Sequence, residues 1–103
     1  MAEQAITKND NRAVMQPEGD VVAGTVPGLR STMRGVLAEG VRELVVDLSR
    51  VEMMDSSGIG LLIAAHNSLV KLGGRLEVIH ASQDILELFR AMRIHQHFQV
   101  SGE

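Results

Sequence analysis

The chain has 103 residues, 45% of them hydrophobic, with no cysteine and a formal net charge of -3, which favours one folded domain over residues 1–103. The acidic balance argues against a nucleic-acid surface, and the lack of cysteine excludes disulfides and thiolate metal sites. No segment resembles a signal peptide or is long and apolar enough to cross a bilayer, so we expect a cytoplasmic protein without membrane insertion.

The first part of the chain predicts a β-hairpin. Strands are expected at residues 5–8 and 12–16, joined by a turn at residues 9–11, because Asn and Asp tolerate positive φ. Residues 1–4 are expected to be disordered. Residues 21–23 are predicted to form a brief extended segment after the hairpin.

A helix is predicted after this segment. Thr25 is the candidate N-cap, and Pro27 lies in the first turn, where its missing N–H does no harm. Gly40 is the predicted end of the helix, because glycine readily adopts the left-handed conformation found there. The apolar stripe that predicts the buried face consists of Leu29, Met33, Val36 and Leu37.

Strands and helices alternate from residue 41 onward. Strands are predicted at residues 41–49 and 75–80, a helix at residues 57–72, another helix after Ser82, and a short strand or irregular tail at residues 94–100. Such alternation implies parallel strands joined by right-handed crossovers. The predicted fold is α/β: a small mixed sheet with packed helices and βαβ crossovers in the C-terminal half. The inner face of the third helix is predicted to carry Ile85, Leu88, Phe89 and Met92.

A polar segment joins the central strand to the second helix. Residues 44–48 are almost all apolar, as in a strand covered on both faces. Asp55, Ser56, Ser57 and Gly58 follow, and residues of these types favour a helix N-terminus. A serine on this turn lies where the helix dipole tolerates added negative charge.

This strand, the turn at residues 55–58 and the apolar helix after it resemble the signature of the STAS domain, the family of anti-sigma factor antagonists and sulfate-transporter tails. By element order the resemblance extends over residues 13–98. Val22 stands where the family has an aspartate close to the phosphorylated turn, which leaves Asp55 and Asp47 as the nearer acidic groups. Three other positions in the stretch at residues 19–29 match the family: Gly19, Thr25 and Leu29.

The resemblance implies an anti-sigma factor antagonist. In the bacterial antagonists the serine directly after the aspartate is phosphorylated, and here that serine is Ser56. The unphosphorylated protein would bind an anti-sigma factor, often itself a serine kinase, until phosphorylation ends binding and a phosphatase restores it. The protein would be a cytoplasmic monomer without a cofactor, since ATP belongs to the partner. The expected partner-binding residues are Val22, Gly24, Thr25, Met53, Met54, Asp55, Ser56, Ser57, Gly58 and Ile59.

Other roles for these residues stay open. Ser56 can simply be a helix N-cap, and Ser57 is the rival phosphorylation site. Asp55 can orient the serine or cap the second helix. Met53 and Met54 are of a type usually found in cores, although an exposed methionine suits a partner surface.

Enzymatic and metal-binding functions are not favoured. A nucleophilic serine needs a neighbouring base, and the Gly-x-Ser-x-Gly elbow is missing. His95 and His97 have no third ligand at a fixed spacing, so no metal is expected. His66 is interpreted as a half-buried, hydrogen-bonded histidine, and Gly58 and Gly60 as residues that permit close packing. The alternative function is a STAS subunit of a membrane transporter or signalling complex, which would bind its partner without phosphorylation.

Overall fold

The computed structural model describes residues 4–94 and 97–102, which fold into five strands and three helices. The predicted disorder at residues 1–3 lies outside the described residues, whereas Gln4 is the first residue of a strand. Along the chain the elements are β1 (Gln4–Asn9), β2 (Arg12–Pro17), α1 (Val26–Ala38), β3 (Glu43–Asp47), α2 (Ser56–Lys71), β4 (Arg75–Ala81), α3 (Gln83–Ala91) and β5 (Gln99–Gly102).

The five strands form one mixed sheet in the order β1-β2-β3-β4-β5. β1 and β2 make the predicted antiparallel hairpin, whose turn contains Asp10 with φ of 54°. The pairs β2–β3, β3–β4 and β4–β5 are parallel, and one helix connects each pair. Because right-handed crossovers all step in the same direction across the sheet, α1, α2 and α3 lie on the same face.

The core lies between the sheet and this helix layer. Side chains alternate between the two faces of a strand, so Ala13 and Met15 of β2, and Leu44 and Val46 of β3, point to the helices. Val45 is buried as well but points to the other face and stays outside the core cluster. The largest fully buried side chains that the helices contribute are Leu29, Ile59, Leu62, Leu69 and Phe89.

Glycines end the first two helices, as predicted. Gly40 follows α1 with φ of 101°, and Gly73 follows α2 with φ of 79°. The Gly73 N–H donates to the Val70 carbonyl and the Gly74 N–H to the Leu69 carbonyl, which satisfies two carbonyls of the last turn of α2.

The start of α1 differs from its prediction. Residues 21–23 do not form a strand: Val21 makes one isolated bridge to Met54, and the chain then turns. Thr25 occupies the N-cap position, but its side chain makes no cap bond. Its hydroxyl instead donates to the Asp20 carbonyl at 2.8 Å, which closes the turn before the helix.

Two further bounds were predicted wrongly. β3 spans residues 43–47 instead of 41–49. It begins later than predicted because the Arg42 and Glu43 N–H groups both donate to the Asn11 carbonyl, in the turn of the hairpin, before the chain joins the sheet. Met92 is not on the inner face of α3: the helix ends at Ala91, and the Met92 side chain is 45% exposed.

Candidate functional site

The candidate site is the serine turn, defined as residues 53–58, where the connector after β3 enters α2. It lies at the carboxyl ends of the parallel strands, the edge where α/β proteins usually place their sites. Ser56 is the first residue of α2 and is exposed. Within the described residues its hydroxyl makes no hydrogen bond, so this oxygen is accessible to another protein.

The N-cap of α2 is Asp55 and not Ser56. The Asp55 carboxylate accepts the Ser57 N–H at 2.9 Å and the Gly58 N–H at 3.2 Å. Its backbone is extended, as at an N-cap. Because the aspartate satisfies these N–H groups, neither serine hydroxyl is needed as a cap, and the inward cap considered for Ser57 does not form. Ser57 is half-buried.

The loop at residues 20–25 is bonded to the serine turn along its length. The Val21 N–H donates to the Met53 carbonyl at 3.0 Å, and the Asp55 N–H donates to the Val21 carbonyl at 3.3 Å. The Asp20 carboxylate accepts the Met53 N–H at 3.2 Å. The second oxygen of Asp55 accepts the Ala23 N–H at 3.1 Å. One carboxylate therefore caps α2 and also holds the 20–25 loop in place.

The contact between the two segments is close enough to require glycine at position 58. A Cβ on Gly58 would lie 2.6 Å from the Val21 carbonyl oxygen and 2.7 Å from the Met54 Cγ. Real Cβ atoms do not approach neighbours this closely, so Gly58 does permit close packing, but against the 20–25 loop and Met54 and not against a strand as predicted. The same prediction was wrong for Gly60, because a Cβ there would meet nothing within 4 Å.

These bonds keep the Asp55 carboxylate charged. Partial desolvation raises the pKa of Asp55, but the N–H groups of Ala23, Gly58 and Ser57 lower it by more, so the pKa lies below its ordinary value. A negative charge is therefore present beside Ser56 at neutral pH.

Asp47 belongs to a different polar cluster at the same edge of the sheet. Its carboxylate accepts the Ser49 N–H at 2.9 Å and pairs with the His80 Nδ1 at 3.0 Å, while the Gln16 amide lies 3.4 Å away. Burial raises the pKa of Asp47, but the bonds to Ser49 and His80 bring it below its ordinary value. The carboxylate that reaches the serine turn from a neighbouring loop is thus Asp20 and not Asp47.

The predicted partner-binding residues divide by exposure. Met53, at 59% exposed, is the most exposed of the large hydrophobic side chains. Gly24 and Ser56 are also exposed, whereas Met54, Gly58 and Ile59 are buried and support the surface from below. The remaining predicted residues are partly exposed: Val22, Thr25, Asp55 and Ser57.

Sequence reasoning missed two residues of this edge. Asp20 was not among the predicted site residues, although aspartate in a turn often accepts backbone N–H bonds. His80 was assigned simply to a strand, but it has φ of 58° and lies where the β4–β5 register shifts. No local pattern in the sequence indicates that irregularity.

The histidines do not form a metal site among the described residues, which contain no group of three potential ligands suitably placed. His95, one of the residues considered for metal binding, lies outside the described residues. His66 was expected to be hydrogen-bonded, but its buried Nδ1 has no partner in the described part of the chain. Its ring instead packs near Phe98 at a centroid distance of 5.5 Å.

A mixed sheet with one helix layer and an exposed serine at a helix start are the fold and the site expected of a STAS domain. The chain belongs to the STAS domain family, whose model matches residues 3–102. It is similar to the anti-sigma-B factor antagonist of Staphylococcus aureus, with 29% identity over 83 residues, which covers 81% of this chain and 77% of that protein.

Two solved structures share the fold. An anti-sigma factor antagonist from Mycobacterium paratuberculosis superposes with a TM-score of 0.88 at 23% identity, covering 100% of this chain and 87% of that one. The Bacillus cell fate determinant SpoIIAA in its phosphorylated form superposes with a TM-score of 0.76 at 18% identity. The superposition covers 98% of this chain and 93% of that chain. In the described residues, no helix has the length and apolar character needed to span a membrane.

Proposed function

We propose that this protein is an anti-sigma factor antagonist controlled by phosphorylation of Ser56. The unmodified protein binds an anti-sigma factor that is also a serine kinase, and thereby releases a sigma factor. Transfer of phosphate from ATP to the Ser56 hydroxyl ends this binding, and a phosphatase removes the phosphate. The antagonist acts in the cytoplasm as a monomer, carries no cofactor and has no catalytic activity of its own.

The observation that carries the proposal is the accessible hydroxyl of Ser56 at the first position of α2. Asp55 has already capped the helix, so modification of Ser56 breaks no hydrogen bond within the described residues. The names of the relatives support the regulatory role, and SpoIIAA, which shares the fold, has a phosphorylated form. Ser57, being half-buried, is the weaker candidate for modification.

Phosphate at Ser56 changes the surface much more than the fold. It adds about -1.5 to -2 charges beside the ionised Asp55, while the N-terminal end of the α2 dipole offsets part of the local repulsion. The binding free energy changes more than the stability of the domain, because a partner surface that fits a neutral hydroxyl must now accept a dianion. Like charges or an unpaired charge in an interface cost several kcal/mol, so we expect at least a hundredfold loss of affinity, equivalent to about 2.8 kcal/mol.

The proposed contact surface combines an apolar and a polar part. Met53 supplies an adaptable apolar side chain next to Ser56, and exposed methionines suit protein interfaces. Gly24 and the half-exposed Val22 lie on the adjoining loop. Since hydrogen bonds hold this loop against the serine turn, the partner meets one surface formed by both segments.

The test uses the purified anti-sigma factor kinase and four forms of the antagonist: the wild type, Ser56→Asp, Ser57→Asp and Ser56→Ala. Calorimetry should give tight binding for the wild type and at least a hundredfold weaker binding for Ser56→Asp. Ser57→Asp is the matched control, with the same charge one residue later, and should weaken binding much less. Incubation with the kinase and ATP, followed by mass spectrometry, should place one phosphate on Ser56 and none on Ser56→Ala.

A Ser56→Asp protein that is folded and keeps full affinity would overturn the switch. Phosphate found only on Ser57 would move the switch to the rival site. Circular dichroism of each variant separates loss of binding from loss of structure.

One observation favours the alternative function. Val22 occupies the position where the resemblance leads one to expect an aspartate near the serine, so a carboxylate that would help a kinase is missing. A STAS subunit of a transporter or signalling complex would bind its partner through the same surface without ATP-dependent modification. Absence of phosphate transfer from any cognate kinase, together with partner binding unaffected by ATP, would support this alternative.

A further inference from the structure

The two helices that carry the candidate site have an unusual charge. α1 and α2 contain no Asp or Glu, and their only Lys or Arg residues are Arg30, Arg34 and Lys71. The pair therefore has a charge of +3 in a protein of net charge -3, which leaves -6 on the rest of the chain. Both helices follow parallel strands, so the positive ends of their dipoles point to the same edge of the sheet.

A groove runs between α1 and α2 on the outer surface of the helix layer. Its α1 side carries Arg30 and Arg34, and its α2 side is formed by small or apolar residues that include Leu61, Ala64 and Ser68. The cavity holds about 100 Å³. Small-molecule pockets typically measure about 300–1,000 Å³, so the groove suits one side chain of a peptide and not a cofactor.

The two arginines on the rim have no acidic partner among the residues that the structure describes. Both are exposed, and in the part of the chain that the structure describes neither forms an ion pair. Being four residues apart in a helix, their Cβ atoms lie about 5–6 Å apart on one face. None of the described residues that line the groove is Asp or Glu. Two guanidinium groups thus flank an apolar slot and are available for carboxylates.

We propose that the groove between α1 and α2 binds an acidic helical segment of a partner protein. One aliphatic side chain of the segment enters the slot, and glutamates or aspartates one turn apart pair with Arg30 and Arg34. Charge complementarity selects this occupant over a second copy related by two-fold symmetry, which would bring the same basic helix pair to the interface. The proposal does not depend on Ser56 or on its phosphorylation.

The probe is a synthetic helical peptide of about 18 residues, long enough to form a helix, with a leucine stripe flanked by glutamates. A control peptide has lysine in place of every glutamate. Nitrogen-15 amide spectra of the full chain should change around Arg30, Arg34, Leu61 and Ser68 with the glutamate peptide only. The affinity should fall as salt is added, because these ion pairs are exposed.

Charge reversal gives the decisive comparison. Arg30→Glu combined with Arg34→Glu should weaken the glutamate peptide about tenfold or more and should allow the lysine peptide to bind. Arg12→Glu with Arg90→Glu is the matched control: both arginines are exposed outside the groove, and this pair should leave peptide binding unchanged. Circular dichroism should show all these variants folded.

Three results would overturn the proposal. The first is glutamate-peptide binding that both double variants retain equally. The second is self-association of the wild type, detected by analytical ultracentrifugation and lost only in Arg30→Glu, Arg34→Glu, which would make a second copy the occupant. The third is sedimentation with vesicles rich in phosphatidylserine and no response to the peptide, which would assign the basic face to a membrane surface.

Discussion

Replacement of Gly58 by alanine tests the close contact between α2 and the 20–25 loop. The added methyl group would lie 2.6 Å from the Val21 carbonyl oxygen and 2.7 Å from the Met54 Cγ. The methionine side chain can move, but the Val21 carbonyl is backbone and already accepts the Asp55 N–H. The loop must therefore shift away from the helix, and its bonds to the serine turn lengthen.

The size of the effect follows from two opposing terms. Overpacking of a close contact costs about 1–3 kcal/mol, whereas the higher helix propensity of alanine returns up to about 1 kcal/mol. We expect Gly58→Ala to lower the free energy of unfolding by about 1–2 kcal/mol. Gly60→Ala is the matched control: it meets nothing within 4 Å, so the propensity term alone should stabilise the protein by about 0.5–1 kcal/mol.

Urea and thermal unfolding followed by circular dichroism measure both variants. A change of 1 kcal/mol shifts the Tm of a domain of this size by about 4–8 °C, so the two variants should differ by about 6 °C or more and should shift in opposite directions from the wild type. Equal stabilities for Gly58→Ala and Gly60→Ala would refute the reasoning, because helix propensity would then explain both.

Three other predictions concern the cap of α2, the exposed methionine and the cap of α3. The pKa of Asp55 is lowered in the folded state, so the charged carboxylate stabilises the fold fully above the ordinary value of 3.8, and this stabilisation is lost as pH falls through the folded-state pKa. The Tm difference between wild type and Asp55→Asn should therefore shrink in acid. A difference that stays constant with pH would contradict this prediction. Met53→Ser should weaken partner binding in calorimetry without lowering Tm, whereas Met92→Ser, the same change at another exposed methionine outside the site, should alter neither; equal effects would argue against a contact at Met53. Ser82→Ala removes the bond that the Ile85 N–H donates at 3.3 Å and should cost about 0.5–1 kcal/mol in urea unfolding, unless the hydroxyl contributes nothing to the cap.

Local sequence signals were sufficient for the order of elements. The turn at Asp10 and the helix ends at Gly40 and Gly73 depend on residues that tolerate positive φ, a property of single residues and their neighbours. Hydrophobic spacing similarly predicted the buried face of the first helix. The pattern was less reliable at Met92, because it continued one residue past the point where α3 ends.

The details of the site depend on contacts between distant segments. Asp20 reaches Met53, which is 33 residues further along the chain, and Asp55 reaches Ala23 across 32 residues. A turn-forming aspartate has the same local signature whether or not such a partner exists, so these roles were not predictable from spacing. The prediction of Thr25 as a side-chain cap was wrong because of a contact of this kind. The Thr25 hydroxyl donates to the Asp20 carbonyl, an acceptor that only the folded loop provides.

The bond from the Ala23 N–H to Asp55 has a consequence for protein engineering. Attempts to change the binding preference of this protein by randomising α2 alone would disturb a loop that the library leaves unchanged, and grafting the loop alone would disturb the start of α2. The 20–25 loop and the start of α2 form one structural unit. New binding preferences should therefore be selected by varying both segments together while Asp55 and Gly58 are held constant.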